Sequence, residues 1–176
     1  NNHNSMFGRD GRLWLAAAVR GPENPAFCKA GSDHPSAKLV PLDRNLRELA
    51  AYDPKTGKYD FIDTCYGTHH PQFGFDANDT LWTSGGGPVV GWLNTKMWDA
   101  THDAAKSQGW TALILDTNGN GKRDEGYVGP NDPVDPAKDK RVIAGFYAVM
   151  PNPKDGSIWG AVRGNPGAVA RLAPGA

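Results

Sequence analysis

The sequence predicts an all-β protein, namely a β-propeller segment of about two and a half four-stranded blades with long insertions and an incomplete ring. Composition, a repeat centred on Trp and a second hairpin pattern after each Trp predict this fold. The 176 residues include 22 Gly and 14 Pro, which suit short strands joined by turns and are too many for a helical bundle. Six Trp and a hydrophobic content of 39% are typical of a globular chain with a core.

The repeat marks the start of each unit. It reads HNSMFGRDGRLWLAA at 3–17, HPQFGFDANDTLWTSG at 70–85 and YAVMPNPKDGSIWGAV at 147–162. Each copy continues from an apolar residue through a polar turn of Asp, Asn or Gly to Leu or Ile and then Trp, which indicates two strands around a tight turn. A large aromatic residue at one equivalent position is predicted to pack between neighbouring units. These residues are Trp14, Trp82 and Trp159.

A second hairpin is predicted after each Trp, so that a complete unit has four strands. The sequences are ELAAYDPKTGKYDFIDT at 48–64, TALILDTNGNGKRDEGYV at 111–128 and the clipped AVARLAPGA at 168–176. Four strands per unit are typical of a propeller blade. We therefore predict a single partial propeller domain with blade units at about 1–66, 67–145 and 146–176.

Two insertions are predicted between the second and third strands of the first two units, at about 20–45 and 88–109. In a four-stranded meander these loops share one face with the starts of the innermost strands. A short helix is expected near 98–107, where Asp, Ala and Lys lie between aromatic residues. Three Trp residues of the second insertion could form a platform for a flat or sugar-like ligand, or could pack the insertion onto the sheet. They are Trp92, Trp98 and Trp110.

Candidate catalytic residues lie at the starts of the innermost strands, which are expected to line a central channel. His3, His70 and Tyr147 occupy matched positions there and are predicted to converge near the channel mouth. Imidazole can act as a base, an acid or a metal ligand near neutral pH, and a phenol can act as an acid or an anchor. The alternative is that these side chains bond to connector backbone. The other histidines are interpreted as a spare neighbour or as surface residues: His34, His69 and His102.

The stretch LILDTNGNGKRD at 113–124 has the spacing of a calcium-binding loop. The candidate ligands at positions 1, 3, 5 and 9, with one backbone carbonyl, are Asp116, Asn118, Asn120, Asp124 and Lys122. Position 12 is Tyr127, so this is not an EF-hand, and Asp124 or Glu125 would have to close the shell. A metal-free turn rich in Asx residues is the alternative. As a hairpin turn, the loop is expected at the face opposite the histidines, where Ca²⁺ would be structural.

The only two cysteines are Cys28 and Cys65, in no zinc or haem motif. A disulfide between them would close a loop of about 37 residues and contribute about 4 kcal/mol in an exported protein; two separate thiols are the alternative. Nineteen basic and nineteen acidic residues cancel, which argues against a nucleic-acid partner. No apolar stretch is long enough for a membrane span, and no signal peptide is evident at the N-terminus.

The D-x-x-G-x-(L/I)-W and Y-D-P-x-T-G signatures give the chain a family resemblance. It resembles the streptogramin (virginiamycin B) lyase-like and NHL-type β-propellers, as found in large exported bacterial carboxypeptidase-regulatory-like-domain proteins. The resemblance implies secreted or periplasmic localisation, and a ring completed by the remainder of the propeller or by another chain. It also implies a first-strand His, here His70 or His3, as a general base beside Mg²⁺. The acidic residue that such lyases carry after the Trp strand is absent from WTSGGG and WLAAA.

Two functions follow as hypotheses. In the first, the chain is a recognition scaffold that binds a small molecule, a glycan or a protein partner on its insertion-bearing face. In the second, it is a carbon–oxygen lyase or a hydrolase that uses His70 with His3 and Tyr147. Close approach of the His3 and His70 imidazoles is expected to favour catalysis.

Overall fold

The computed structural model describes residues 2–84, 87–163 and 166–173. Strands make up 40% of the chain and helices 11%, which confirms the predicted β-rich class. Within these described ranges the strands form four sheets, and none of the four closes into a barrel. In the described part of the chain, no helix is long and apolar enough to cross a membrane.

The first sheet is an antiparallel meander of four consecutive strands. Gly11, at φ 87°, makes the tight turn between its first two strands, where a residue with a Cβ would be strained. The predicted first insertion lies between the second and third strands and holds a 3-10 turn and one short helix. The elements are β1 (Asn2–Phe7), β2 (Leu13–Ala17), a 3-10 turn (Ala26–Cys28), α1 (Pro35–Leu39), β3 (Glu48–Asp53) and β4 (Lys58–Ile62).

The second sheet is also a four-stranded meander, but its third and fourth strands differ from the prediction. The segment expected to be an insertion at 88–109 begins and ends as strands, with two short helices between them. Gly91 lies under the Tyr66 ring and Gly109 under the Trp92 ring, so the small residues make room for large ones within paired strands. The elements are β5 (His70–Phe73), β6 (Thr80–Ser84), β7 (Val89–Asn94), α2 (Thr95–Thr101), α3 (Ala104–Ser107) and β8 (Gln108–Ala112).

The connector after the second sheet contains a small sheet of its own. The prediction that 111–128 is the second hairpin of the middle unit is therefore wrong, because that hairpin is formed by β7 and β8. The connector strands are β9 (Ile114–Leu115), β10 (Tyr127–Val128) and β11 (Asp139–Arg141), and the third large sheet follows with β12 (Phe146–Pro151), β13 (Ile158–Val162) and β14 (Ala168–Leu172).

The three large sheets pack in chain order, with β1, β5 and β12 as neighbouring strands. Trp14 is buried between the first two sheets and meets Phe73 edge to face, with ring centroids 6.1 Å apart. Trp82 packs on the cluster around Phe146 that joins the second sheet to the third. Trp159 is 39% exposed on the outer side of the third sheet. Each of two inter-sheet layers thus contains a Trp, whereas closure into a propeller ring stays a prediction.

The end of the sheets at which β1, β5 and β12 begin is here called the histidine end. The helices α2 and α3 lie at the opposite end, contrary to expectation, because β7 ends at Asn94 beside the first residue of β6. The connector leaves β8 at Ala112, whose partner Val89 begins β7. That connector, with the loop that begins at Asp116, therefore starts from the histidine end and not from the opposite face.

A disulfide joins Cys28 to Cys65, with Cα atoms 5.4 Å apart, as one of the two alternatives predicted. It ties the first insertion to the segment that leads into β5. Both cysteines are buried in a cluster with Tyr66 and Trp110. The insertion is thereby fixed against the second sheet.

Candidate metal centre

Three histidines converge at the histidine end. The rings of His3 and His69 are stacked at 3.6 Å between centroids, and His70 meets both rings edge-on, at 5.1 Å from His3 and 4.5 Å from His69. One ring nitrogen of each lies within 4.8 Å of the others. Among the described residues, this is the one group of three or more His, Cys, Asp or Glu side chains that is so close.

Strand irregularities aim two of the predicted residues at this place. The register of β1 against β2 shifts between Asn2 and Ser5, where His3 lies. The register of β12 against β13 shifts between Phe146 and Val149, where Tyr147 lies. Bulges of this kind redirect side chains and are common beside functional sites.

The structure brings together the three residues that the sequence predicted and adds a fourth, His69. The His70 and Tyr147 rings are 4.8 Å apart, and those of His69 and Tyr147 are 5.7 Å apart. His69 was interpreted as a spare neighbour, but it precedes β5 and its ring turns back onto His3. The adjacent pair His69 and His70 at the start of a strand could have indicated this. Adjacent side chains point to opposite faces inside a regular strand, but they need not do so at its start.

The surroundings of two of the imidazoles lower their pKa, so these rings stay neutral at a lower pH than an ordinary histidine does. Burial lowers the pKa of His70, and the charge of His3 lowers it further. Burial also lowers the pKa of His69, with smaller effects from His3, His70 and two arginines. Neutral imidazole is the form that donates a lone pair to a metal ion or accepts a proton.

One imidazole nitrogen is buried without a partner. Nε2 of His70 is inaccessible to solvent and has no hydrogen bond. A buried polar atom in that state is costly unless another group satisfies it. His70 belongs to the group of three histidines whose ring nitrogens lie close together, and a bound cation would be a suitable partner for an imidazole nitrogen.

A cavity of about 490 Å³ has His69 among its lining residues. Arg44 and Arg47 line it, and no Asp or Glu is among its lining residues in the described part of the chain. Nη1 of Arg47 is buried and unpartnered. On the other side of the histidines, the Arg163 guanidinium lies 4.8 Å from the centre of the Tyr147 ring. Because Arg44 already pairs with Glu23 at 3.2 Å, Arg47 is the group of this cavity best suited to bind an anion.

The donor set decides which metal ion fits. Three imidazoles without a carboxylate suit Zn²⁺, Cu²⁺ or Ni²⁺, whereas Mg²⁺ prefers carboxylate, phosphate and water oxygens. His3, His69 and His70 do not fit the Mg²⁺ that the family resemblance implied. A His₃ set leaves a fourth position open, as in catalytic zinc sites.

The three Trp residues of the predicted ligand platform do not share a surface. Trp98 is buried in the cluster between the first and second sheets, and Trp110 is buried in a separate cluster beside the disulfide. Trp92 packs against Trp82, with centroids 5.4 Å apart. These positions agree with the alternative stated for them, which is packing.

Two further histidines have different surroundings. His34 was expected at the surface, but its ring stacks on Trp110 at 4.7 Å and its Nε2 contacts two backbone carbonyl groups at 3.1 Å. His102 is exposed, as expected, and ends α2 in the left-handed region at φ 50°. Neither belongs to the three-histidine group.

The predicted calcium ligands form a compact loop. Both oxygens of Asp116 accept backbone N–H groups of the loop, from Gly119, Asn120 and Gly121. The side chains of Asn118 and Asn120 each bond to the carboxylate of Asp124, at 2.6 and 3.0 Å. The Lys122 N–H donates to the side chain of Asn120 at 2.7 Å.

Comparison with known proteins finds no family model that matches this chain and no curated protein similar to it. The chemistry of the site therefore rests on its own residues.

Proposed function

We propose that the chain is a ligand-binding segment of an exported bacterial lyase-like β-propeller, and that its histidine end binds a transition-metal ion. The ion would be held by His3, His69 and His70, and its open position would take an anionic small molecule from the adjoining cavity. The observation that carries the proposal is the convergence of three imidazoles, with one ring nitrogen of each within 4.8 Å of the others, at a place where His70 also has a buried Nε2 without a hydrogen bond.

The charge distribution supports an anionic ligand. Arg47 is near enough to His69 to lower its pKa, and its own Nη1 lacks a partner. Arg44 lines the same cavity but already pairs with Glu23 at 3.2 Å, so Arg47 is the group offered to a ligand. A guanidinium group binds carboxylate or phosphate through paired hydrogen bonds, so a ligand that bridges the metal and Arg47 fits both groups.

Metal binding tests the proposal directly. Titration calorimetry with Zn²⁺ should show one site per chain in the wild type, and His70→Ala and His69→Ala should each weaken binding at least about tenfold. His102→Asn is the matched control, because it removes an exposed histidine outside the group and keeps a residue that tolerates positive φ. Equal affinity in all four proteins would contradict the proposal.

A carbon–oxygen lyase or hydrolase is the second candidate function. The lowered pKa values of His69 and His70 favour it, since a general base must be unprotonated to accept a proton. Tyr147, beside both rings, could donate a proton to a leaving oxygen. Incubation with virginiamycin B and mass spectrometry separate the reactions, because elimination leaves the mass unchanged whereas hydrolysis adds one water. No conversion by a chain with bound metal would favour the recognition scaffold.

Two open sheet faces support the proposal that further sheets continue the stack. Met150 pairs with Trp159 on the outer face of the third sheet, and Val169 is exposed on the same face. Phe61 and Tyr59 are exposed on the outermost strand of the first sheet. Because Trp14 and Trp82 fill the two layers inside the chain, we expect the face of Trp159 to meet another sheet of the same kind.

A further inference from the structure

Asp139, the first residue of β11, is a buried acid with one oxygen unsatisfied. It is 1% exposed, its Oδ2 accepts the backbone N–H of Asp124 at 2.9 Å, and its Oδ1 has no hydrogen-bond partner. No Lys or Arg side chain among the described residues forms a salt bridge with it. A buried carboxylate loses its hydration, so a positively charged partner would stabilise it.

A second acid lies next to the end of the same ladder. In the antiparallel ladder of β9 and β11, Ile114 pairs with Arg141 and Leu115 with Lys140. Leu115 and Lys140 are the last pair of this ladder, and Asp116 and Asp139 are the next residues on the two segments. Like charges directly opposite each other across two strands are destabilising, and a cation between them reverses the sign of the interaction.

The loop after Asp116 brings further oxygen groups to the same place. The amides of Asn118 and Asn120 meet the carboxylate of Asp124, whose backbone N–H holds Asp139. Side chains at the third, fifth and ninth loop positions therefore converge. An Asn amide can rotate by half a turn, which exchanges the positions of its oxygen and nitrogen. Both amides can therefore direct an oxygen toward a cation.

We infer that Asp139 completes a Ca²⁺ site with this loop, supplying from a separate strand the carboxylate that the twelfth loop position lacks. The proposed ligands are side-chain oxygens of Asp116, Asn118, Asn120, Asp124 and Asp139, and the carbonyl of Lys122. An all-oxygen set with three carboxylates is the chemistry of calcium. The three carboxylates do not all lie within 4.8 Å of one another, and ligands on opposite sides of Ca²⁺ are about 5 Å apart.

The position of Asp139 gives the ion a structural role. Thr117 already bonds its hydroxyl to the Lys138 carbonyl at 2.8 Å, so the loop and the start of β11 are in contact. An ion bound by both Asp116 and Asp139 would join the two ends of the segment 116–139 within the connector. The connector leads into Phe146 and Tyr147, and calcium would thereby steady the entry of β12 at the histidine end.

Thermal unfolding in Ca²⁺ and in EGTA tests the inference. The wild-type melting temperature should rise with Ca²⁺ concentration, and Asp139→Asn should lower the affinity at least about tenfold. In EGTA, Asp139→Asn should be as stable as the wild type or more stable, because the neutral amide removes the repulsion from Asp116. A merely structural role for Asp139 predicts the reverse, namely a loss of stability in both buffers.

Asp132→Asn is the matched control, since Asp132 lies in the same connector and its carboxylate accepts the backbone N–H of Gly129. It should respond to Ca²⁺ as the wild type does. The inference is overturned if the wild type does not respond to Ca²⁺, or if Asp139→Asn keeps wild-type affinity while Asp116→Asn loses it. The His70→Ala variant should bind Ca²⁺ normally, which separates this site from the three-histidine group.

Discussion

The ring of Tyr66 lies directly over Gly91, and its hydroxyl donates a 2.6 Å hydrogen bond to the carbonyl of Trp92. Tyr66 belongs to the segment between the first two sheets, whereas Gly91 belongs to β7. The contact leaves no room for a Cβ on Gly91. It therefore accounts for a glycine in the middle of a buried strand.

Gly91→Ala should destabilise the protein by about 3 kcal/mol, because the added Cβ forces the Tyr66 ring out of its place in a packed cluster. Chemical denaturation measures the loss. Gly21→Ala is the control, since nothing lies within 4 Å of the Cβ that it would add. A loss below about 0.5 kcal/mol for Gly91→Ala would show that the ring moves without cost.

Tyr66 should remain un-ionised at a pH at which an unfolded tyrosine has lost its proton. Burial raises the pKa of Tyr66 well above its ordinary value of 10.0. The folded state thus holds a proton that the unfolded state releases, so the stability from this group is complete below about pH 10 and declines as the pH rises above it. Tyrosinate absorbance should show one tyrosine that ionises only on unfolding, and Tyr66→Phe should remove that component.

Replacing both Cys28 and Cys65 with Ser should lower the free energy of unfolding by about 4 kcal/mol, since the closed loop is about 37 residues long. The melting temperature should fall by about 10 °C. Dithiothreitol should reproduce the loss in the wild type and leave the double variant unchanged. Equal melting temperatures for the oxidised wild type and the double variant would mean that other contacts of the insertion suffice.

The isolated chain should self-associate through its open sheet faces. Val169→Lys places a charge beside Trp159 and should shift the sedimentation profile toward monomer, because burying the ammonium group in an apolar interface is costly. Val134→Lys is the control, because Val134 is also exposed but lies in the connector. A wild type that stays monomeric at all concentrations would show that these faces do not pair with each other.

The features that depend on a short stretch of sequence, such as the first hairpin of each unit, could be predicted from the sequence. Each predicted first hairpin forms, and its Trp pairs across the ladder with Met6, Gln72 or Met150. The approach of His3, His70 and Tyr147 followed from matched strand starts, which needed only the topology of adjacent inner strands.

The remaining features depended on tertiary contacts. The strands β7 and β8 are joined by two helices and not by a tight turn, so the sequence between them carries no hairpin signal. The buried face of His34 depends on Trp110, about 76 residues away. The role proposed for Asp139 depends on the pairing of β11 with β9, and the calcium-like pattern in the sequence ends well before it.

The first insertion belongs to the first unit in the chain but covers the second sheet. Ser36 bonds the backbone of Trp110 at 2.9 Å, and the Val40 carbonyl accepts its indole N–H at 2.7 Å. Recombination that exchanged one unit at the boundary near residue 66 would strip Trp110 of this cover. Transplanting the second unit without the first insertion would therefore leave the indole of Trp110 facing water.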